Sequence, residues 1–119
     1  MTRRQPASRR AGILVPLFSF PTTRSWGIGE IGDIDPMARW LERAGQRVLQ
    51  LLPINEMPPG ETSPYSALSA MATDPQFISL ADVEDFAELG GEGGLEADLR
   101  TDLERVRVSP AVDYWRVRA

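Results

Sequence analysis

A glycine-rich segment at residues 27–32 is the first group of residues that could do chemistry. It reads Gly-Ile-Gly-Glu-Ile-Gly, the G-x-G-x-x-G pattern with which dinucleotide-binding proteins wrap a pyrophosphate. In those proteins the helix begins inside the motif, so that its amino end faces the phosphates. Here Asp33 and Asp35 would place carboxylates where the phosphates sit. The pattern favours a tight structural loop and leaves open a nucleotide-binding βαβ module, which would use the three glycines Gly27, Gly29 and Gly32.

The second candidate is the tripeptide Ser63-Pro64-Tyr65. A tyrosine on a loop stiffened by proline can offer its ring face to the C–H groups of a sugar and its hydroxyl to sugar hydroxyls. The same ring could instead anchor the loop onto its own domain. Three residues do not decide between the two interpretations, and both stay open at this point.

Three loop acids, Glu30, Asp33 and Glu56, could be combined into a carboxylate pair for acid–base work. Acids in loops usually serve as solvated caps, and these residues alone favour that role over catalysis. The chain has neither His nor Cys, and all 13 basic residues are Arg. Imidazole bases, thiolate nucleophiles and Schiff-base lysines are therefore excluded within this sequence.

Composition bounds the possible partners. The net charge is -4 and the pI is about 4.8, which argues against nucleic acid as a partner of the whole chain. The arginines within residues 1–10 form a basic arm that we expect to be disordered. No apolar run approaches the roughly 20 residues that a membrane span needs. We expect a soluble cytoplasmic protein without a membrane partner.

The elements that must position these loops follow from hydrophobic patterning. Residues 12–20 form a nearly continuous apolar run, which predicts a strand buried on both faces, with one irregular point at Pro16. Asp35-Pro36 predicts the start of a helix, which Gly45 ends. Residues 48–53 predict a second buried strand. The order strand, helix, strand predicts a parallel βαβ unit.

The second half of the sequence has weaker signals. Residues 66–72 predict a short helix and residues 77–80 a short extended piece. Between Asp82 and Glu104 there are nine acids against one arginine, the composition of a solvated face. Apolar side chains then recur at helical spacing, at Leu95, Leu99, Leu103 and Val106, and Ser109-Pro110 predicts the start of a last helix.

Several stretches together match one known family. They lie at residues 10–14, 26–33, 44–46, 49–53, 63–70, 74–80 and 112–114. In this order they resemble the N-terminal part of the 4-alpha-glucanotransferases, family 77 of the glycoside hydrolases, also called amylomaltases or disproportionating enzymes. The sequence departs from the family around Ser19, and at Asp74-Pro75, where the family often has Asn-Pro.

The resemblance implies a fold and a division of the chain. Family members have a (β/α)8 barrel with inserted subdomains, and such a barrel takes about 250 residues or more. The fold class is therefore α/β, the N-terminal portion of an incomplete barrel. We divide the chain into a disordered basic arm (1–10), the first βαβ unit with its substrate-groove loops (11–80), and an acidic linker with a helical insertion (81–119), ending inside the longer fold.

The resemblance also implies an activity. Family enzymes transfer α-1,4-glucan segments between maltooligosaccharides through a covalent sugar intermediate, which an acceptor sugar resolves. Their reactive carboxylates come from later strands, so the resemblance implies no catalytic residue, no cofactor and no metal ion in this chain. The chain alone is therefore expected to be inactive. Tyr65, with Ser63, matches the tyrosine motif that lines the donor side of the family's glucan groove. The alternatives are the nucleotide-binding module and a non-catalytic fragment without sugar contact.

Overall fold

The computed structural model describes residues 9–118. Most of the basic arm predicted at 1–10 therefore lies outside the described residues. Strand β1 (Gly12–Val15) is followed by helix α1 (Ile34–Arg43) and strand β2 (Val48–Leu51). The two strands pair in parallel, with Gly12 opposite Val48 and Val15 opposite Leu51. The predicted parallel strand, helix, strand unit is confirmed, and the fold is mixed α/β with a two-stranded sheet.

The first strand is shorter than its apolar run predicts. It ends at Val15, because Pro16 has no N–H to donate to a ladder, and Leu17–Ser19 form a 3-10 turn. The prediction of a strand as far as Phe20 is therefore wrong beyond Val15. The second strand likewise ends at Leu51, before the predicted end at Pro53.

Helix α1 begins earlier than predicted and ends where predicted. Its first residue is Ile34, ahead of the start predicted at Asp35-Pro36, and a 3-10 turn at Ile31–Asp33 leads directly into the helix. At the other end Gly45 has a φ of 75°, and its N–H donates to the Glu42 carbonyl at 2.9 Å. A glycine in this left-handed conformation is the usual helix stop.

The chain ends in three further helices: α2 (Glu84–Glu88), α3 (Ala97–Val108) and α4 (Tyr114–Arg118). Helix α3 confirms the helical spacing of the apolar residues, and it buries Leu103 and Val106. Helix α4 begins at Tyr114 rather than at the predicted Ser109. The predicted helix at residues 66–72 does not form. Of the predicted extended piece at 77–80, only Ile78 and Ser79 lie outside the 3-10 turns Pro75–Phe77 and Leu80–Asp82.

The core does not lie in the sheet. Both strands were predicted to be buried on two faces, but Leu14 is 58% exposed and Val48 is 42% exposed, so that prediction is wrong for this chain. The buried cluster is Leu17, Ile28 and Phe77, and all three residues lie in turns and loops. Within residues 9–118 no helix has the length and apolar character that crossing a bilayer requires.

Candidate functional site

Two long loops leave the carboxyl ends of the strands. The glycine loop (residues 16–33) follows β1, and the tyrosine loop (residues 52–74) follows β2. Because the strands are parallel, both loops start at the same edge of the sheet. In open and closed α/β sheets this edge is where ligands bind.

A buried carboxylate organises the glycine loop. Asp33 accepts hydrogen bonds from the Thr22 hydroxyl, the Ser25 hydroxyl and the Glu30 N–H, each at 2.7 Å. Asp33 and Ser25 are both buried. The three donors occupy most of the lone pairs that a solvated acid would offer to water, so Asp33 has a structural role here.

Glu30 is the second buried acid of this loop, with only 3% of its surface exposed. Its carboxylate accepts the Trp26 N–H. Burial raises the pKa of Glu30 above its ordinary value, and the charge of Asp33 raises it further, while the Trp26 hydrogen bond acts in the opposite direction. The two predicted loop acids thus lie close together, whereas the third, Glu56, is exposed on the tyrosine loop.

The glycine motif is used for close packing. Within the loop, four N–H groups donate to the protein itself: those of Trp26, Gly29, Glu30 and Gly32. A Cβ atom on Gly29 would lie 1.9 Å from the Leu17 carbonyl oxygen. These N–H groups are not free to cradle a phosphate, and the geometry favours the structural interpretation of Gly27, Gly29 and Gly32.

Helix α3 fastens the glycine loop from outside. The Arg107 Nε donates to the Ser25 carbonyl at 3.0 Å, and its guanidinium pairs with both carboxylate oxygens of Glu92. The hydrogen bond from Arg107 lowers the pKa of Glu92. No pattern in the sequence marks Arg107 for this role, because the contact spans 82 positions.

The tyrosine loop is closed at its base by what we call the neck, residues 54–57 paired with residues 68–74. Asn55 and Thr73 form an antiparallel bridge. The Glu56 N–H donates to the Ala72 carbonyl at 3.0 Å, and the Leu68 N–H donates to the Glu56 carbonyl at 2.8 Å. The neck gives the loop a fixed base although its tip contains no regular element.

The tip of this loop carries the predicted sugar-binding residues. Tyr65 is 72% exposed, so its ring does not anchor the loop to this chain. The Ser63 Oγ accepts the Tyr65 N–H at 3.4 Å. The N–H groups of Thr62 and Ser63 donate to the Glu61 carboxylate at 2.8 and 2.9 Å, and these two bonds hold the pKa of Glu61 below its usual value.

A groove of about 860 Å³ lies between the glycine loop and the segment that joins α3 to α4. Phe18 and Tyr114 line it and pack edge to face, with their ring centroids 6.4 Å apart. Tyr65 and Ser63 do not line this groove. The two loops therefore offer two separate surfaces at the carboxyl edge of the sheet.

The chain is similar to known 4-alpha-glucanotransferases. The model of the family described as 4-alpha-glucanotransferase, glycoside hydrolase family 77, matches residues 15–119. The 4-alpha-glucanotransferase of Chlamydia pneumoniae is 37% identical over 112 residues, which cover 93% of this chain and 20% of that protein. The 4-alpha-glucanotransferase of Chlamydia muridarum is 42% identical over 111 residues, 92% of this chain and 20% of that protein.

The match extends to plants. The protein named 4-alpha-glucanotransferase DPE2 of Oryza sativa subsp. japonica is 33% identical over 86 residues, 69% of this chain and 9% of that protein. The chain thus spans about a fifth of the length of the chlamydial relatives. The family match covers both loops of the candidate site and helices α1 to α4 of the described residues. The chain belongs to the 4-alpha-glucanotransferase family, glycoside hydrolase family 77.

Proposed function

We propose that this chain is part of a 4-alpha-glucanotransferase that transfers α-1,4-glucan segments between maltooligosaccharides, and that Tyr65 contacts the glucan. The observation that carries the proposal is an exposed tyrosine on a loop with a fixed base, at the carboxyl edge of a parallel sheet. A pyranose presents C–H groups on its faces and hydroxyls around its rim. The ring and hydroxyl of Tyr65 complement both, and Ser63 adds a polar group beside them.

We further propose that β1, α1 and β2 are the opening unit of a (β/α)8 barrel. The support is physical: parallel sheets are covered on both faces in folded proteins, whereas Leu14 and Val48 are exposed here. Further barrel strands would cover them. The remainder of the barrel is therefore a proposed partner of this chain, and the division at residues 1–10, 11–80 and 81–119 and the cytoplasmic location stay predictions from sequence.

The reactive acids are assigned to polypeptide other than this chain. Asp33 accepts three hydrogen bonds from the glycine loop itself, and Glu30 accepts the Trp26 N–H. Both side chains are buried, so neither carboxylate is accessible to a sugar. The retaining mechanism needs a nucleophilic carboxylate and an acid–base carboxylic acid about 5 Å apart. In the tyrosine loop the Glu61 carboxylate accepts the Thr62 and Ser63 N–H groups. This chain therefore contributes glucan binding and no catalytic residue.

Titration of the 119-residue chain with maltoheptaose, followed by NMR, tests the Tyr65 contact. We expect shift changes confined to the tyrosine loop and about tenfold weaker binding for Tyr65→Ala, because an aromatic contact is worth about 1 kcal/mol or more. Tyr65→Phe keeps the ring and should bind nearly as well as the parent. The matched control is Trp115→Ala, which removes another exposed ring and should leave affinity unchanged.

Two results would contradict the Tyr65 contact. Equal affinity of Tyr65→Ala and the parent would remove Tyr65 from the site. Shift changes on adding NAD, centred on the glycine loop, would favour the nucleotide-binding alternative instead.

The chain alone should convert no maltotriose to other maltooligosaccharides. Measurable conversion would place reactive acids within these 119 residues.

A further inference from the structure

Asp74 is a buried carboxylate at the neck of the tyrosine loop, with 4% of its surface exposed. It caps the 3-10 turn at Pro75–Phe77 by accepting the Gln76 N–H at 3.1 Å. It also accepts the Met57 N–H at 3.3 Å from the opposite side of the neck. One carboxylate therefore joins both sides of the neck.

Arg118 adds a charge to this junction from the last turn of α4. Its Nη2 donates to the Asp74 Oδ2 at 2.9 Å, and its side chain is itself 25% exposed. Among the ion pairs within residues 9–118, this one has the most buried carboxylate, because the acids of the other pairs are 30% exposed or more. The pair spans 44 positions and connects the C-terminal helix to the neck.

We propose that Asp74 and Arg118 form a strap that holds α4 against the neck and thereby fixes the orientation in which the loop presents Tyr65 to a glucan. Both are positioning residues, and neither contacts the sugar. The part of the proposal that concerns glucan affinity rests on the proposed function.

The strap has an asymmetric signature. Removing only the counter-charge of a buried carboxylate costs more stability than removing both charges. The reason is that the desolvated anion is then left without a compensating charge. Removing Arg118 alone should therefore loosen the neck more than removing both charges. A contact that served only to fill space would show additive losses.

A double-mutant cycle on the full chain tests this, using Asp74→Asn, Arg118→Gln and the double variant. The first readout is hydrogen exchange of the Glu56 and Leu68 amides, which form the neck. We expect about tenfold faster exchange in Arg118→Gln, and slower exchange in the double variant than in Arg118→Gln. The second readout is the affinity for maltoheptaose. It should be weaker in Arg118→Gln than in the double variant, in the same order as the exchange rates.

Arg116→Gln is the matched control, since it makes the same change on the same helix at a more exposed site, where Arg116 pairs with Asp113 and lies 3.5 Å from Asp102 of α3. It should leave neck exchange within about twofold of the parent. If Arg118→Gln unfolds the whole chain, the double variant must restore folding. Unchanged neck exchange in Arg118→Gln, or a double variant at least as loose as Arg118→Gln, would overturn the strap.

The two readouts separate the strap from the proposed function. If the parent chain binds no maltoheptaose, the Tyr65 contact fails, while the exchange cycle still decides whether the strap exists. If the parent binds maltoheptaose and the neck loosens in Arg118→Gln without any loss of affinity, the strap does not position Tyr65 and the proposal is overturned.

Discussion

The glycine loop and the tyrosine loop leave the same edge of the sheet and use their polar groups in opposite ways. The glycine loop directs its polar groups inward: Asp33 is buried under three hydrogen bonds, and Ile28 lies in the core cluster. The tyrosine loop is fixed at its neck and leaves its aromatic tip in solvent. The first loop is built as a scaffold, and the second is built to present a side chain.

The difference shows how a motif that binds a ligand can be distinguished from one that only stabilises the fold. A glycine motif indicates a ligand cradle only if its N–H groups remain free to donate outward. In the glycine loop the Gly29 N–H donates to the Phe18 carbonyl and the Gly32 N–H donates to the Ser79 hydroxyl, so neither is free. An exposed tyrosine indicates a ligand contact when its loop has a fixed base, because little ordering remains to be done upon binding.

Gly29→Ala should have the largest effect on the scaffold. The added Cβ would lie 1.9 Å from the Leu17 carbonyl oxygen, so the loop must move away from a core residue. We expect a loss of about 4 kcal/mol in the free energy of unfolding, at the upper end for one substitution. Urea unfolding followed by tryptophan fluorescence measures it.

Gly93→Ala is the control for that experiment. No atom lies within 4 Å of the Cβ position at Gly93, so the same substitution should change the free energy of unfolding by less than about 0.5 kcal/mol. Equal stability of the Gly29 and Gly93 variants would mean that the glycine loop is not closely packed against Leu17.

Asp33→Ala should cause the second-largest loss in the free energy of unfolding. It leaves the hydroxyls of Thr22 and Ser25 and the N–H of Glu30 without their acceptor, and buried donors without partners cost about 1–3 kcal/mol each. Relaxation and entering water reduce the sum, so we expect a loss of about 3 kcal/mol in thermal or urea unfolding.

Asp35→Ala provides the comparison, since Asp35 forms an exposed ion pair with Arg39 one helical turn away and such pairs contribute about 0.5 kcal/mol. A loss in Asp33→Ala no greater than in Asp35→Ala would show that the carboxylate network does not hold the glycine loop.

Local patterns in the sequence predict the parallel βαβ unit and helix α3, but they also predict a helix at 66–72 that does not form. The parallel βαβ unit follows from two apolar runs around an amphipathic stripe, and Gly45 correctly ends α1. The family assignment follows from short blocks such as the one around Tyr65. These features depend on neighbours in sequence, which is why a single sequence reveals them.

The core and the neck depend on contacts between distant residues. The apolar runs predict buried strands, yet the buried cluster joins Leu17, Ile28 and Phe77 from three separate turns. Asp74-Pro75 carries the signature of a capped turn, but nothing in the sequence connects it to Arg118, 44 positions away. Hydrophobicity identifies which residues can be buried, and only the folded backbone decides which of them meet.

The smallest expected effects are the pH dependences of the two loops, which should have opposite signs. Burial raises the folded-state pKa of Glu30 above its ordinary 4.5. The stability that protonated Glu30 contributes is therefore complete below pH 4.5 and is lost as pH rises through the folded-state pKa. Glu61 behaves in the reverse way, because two N–H donors lower its pKa. The stability that ionised Glu61 contributes is present above pH 4.5 and is lost as pH falls through its folded-state pKa.

Glu30→Gln keeps an oxygen for the Trp26 N–H and cannot ionise. We expect its free energy of unfolding, relative to the parent, to be higher at pH 7 than at pH 4. Glu61→Gln should give the opposite trend, less stable than the parent at pH 7 and closer to it at pH 4. Urea unfolding of the parent and both variants across this range measures the two differences. Trends of the same sign in the two variants would contradict the contrast between a loop that buries its acid and a loop that solvates it.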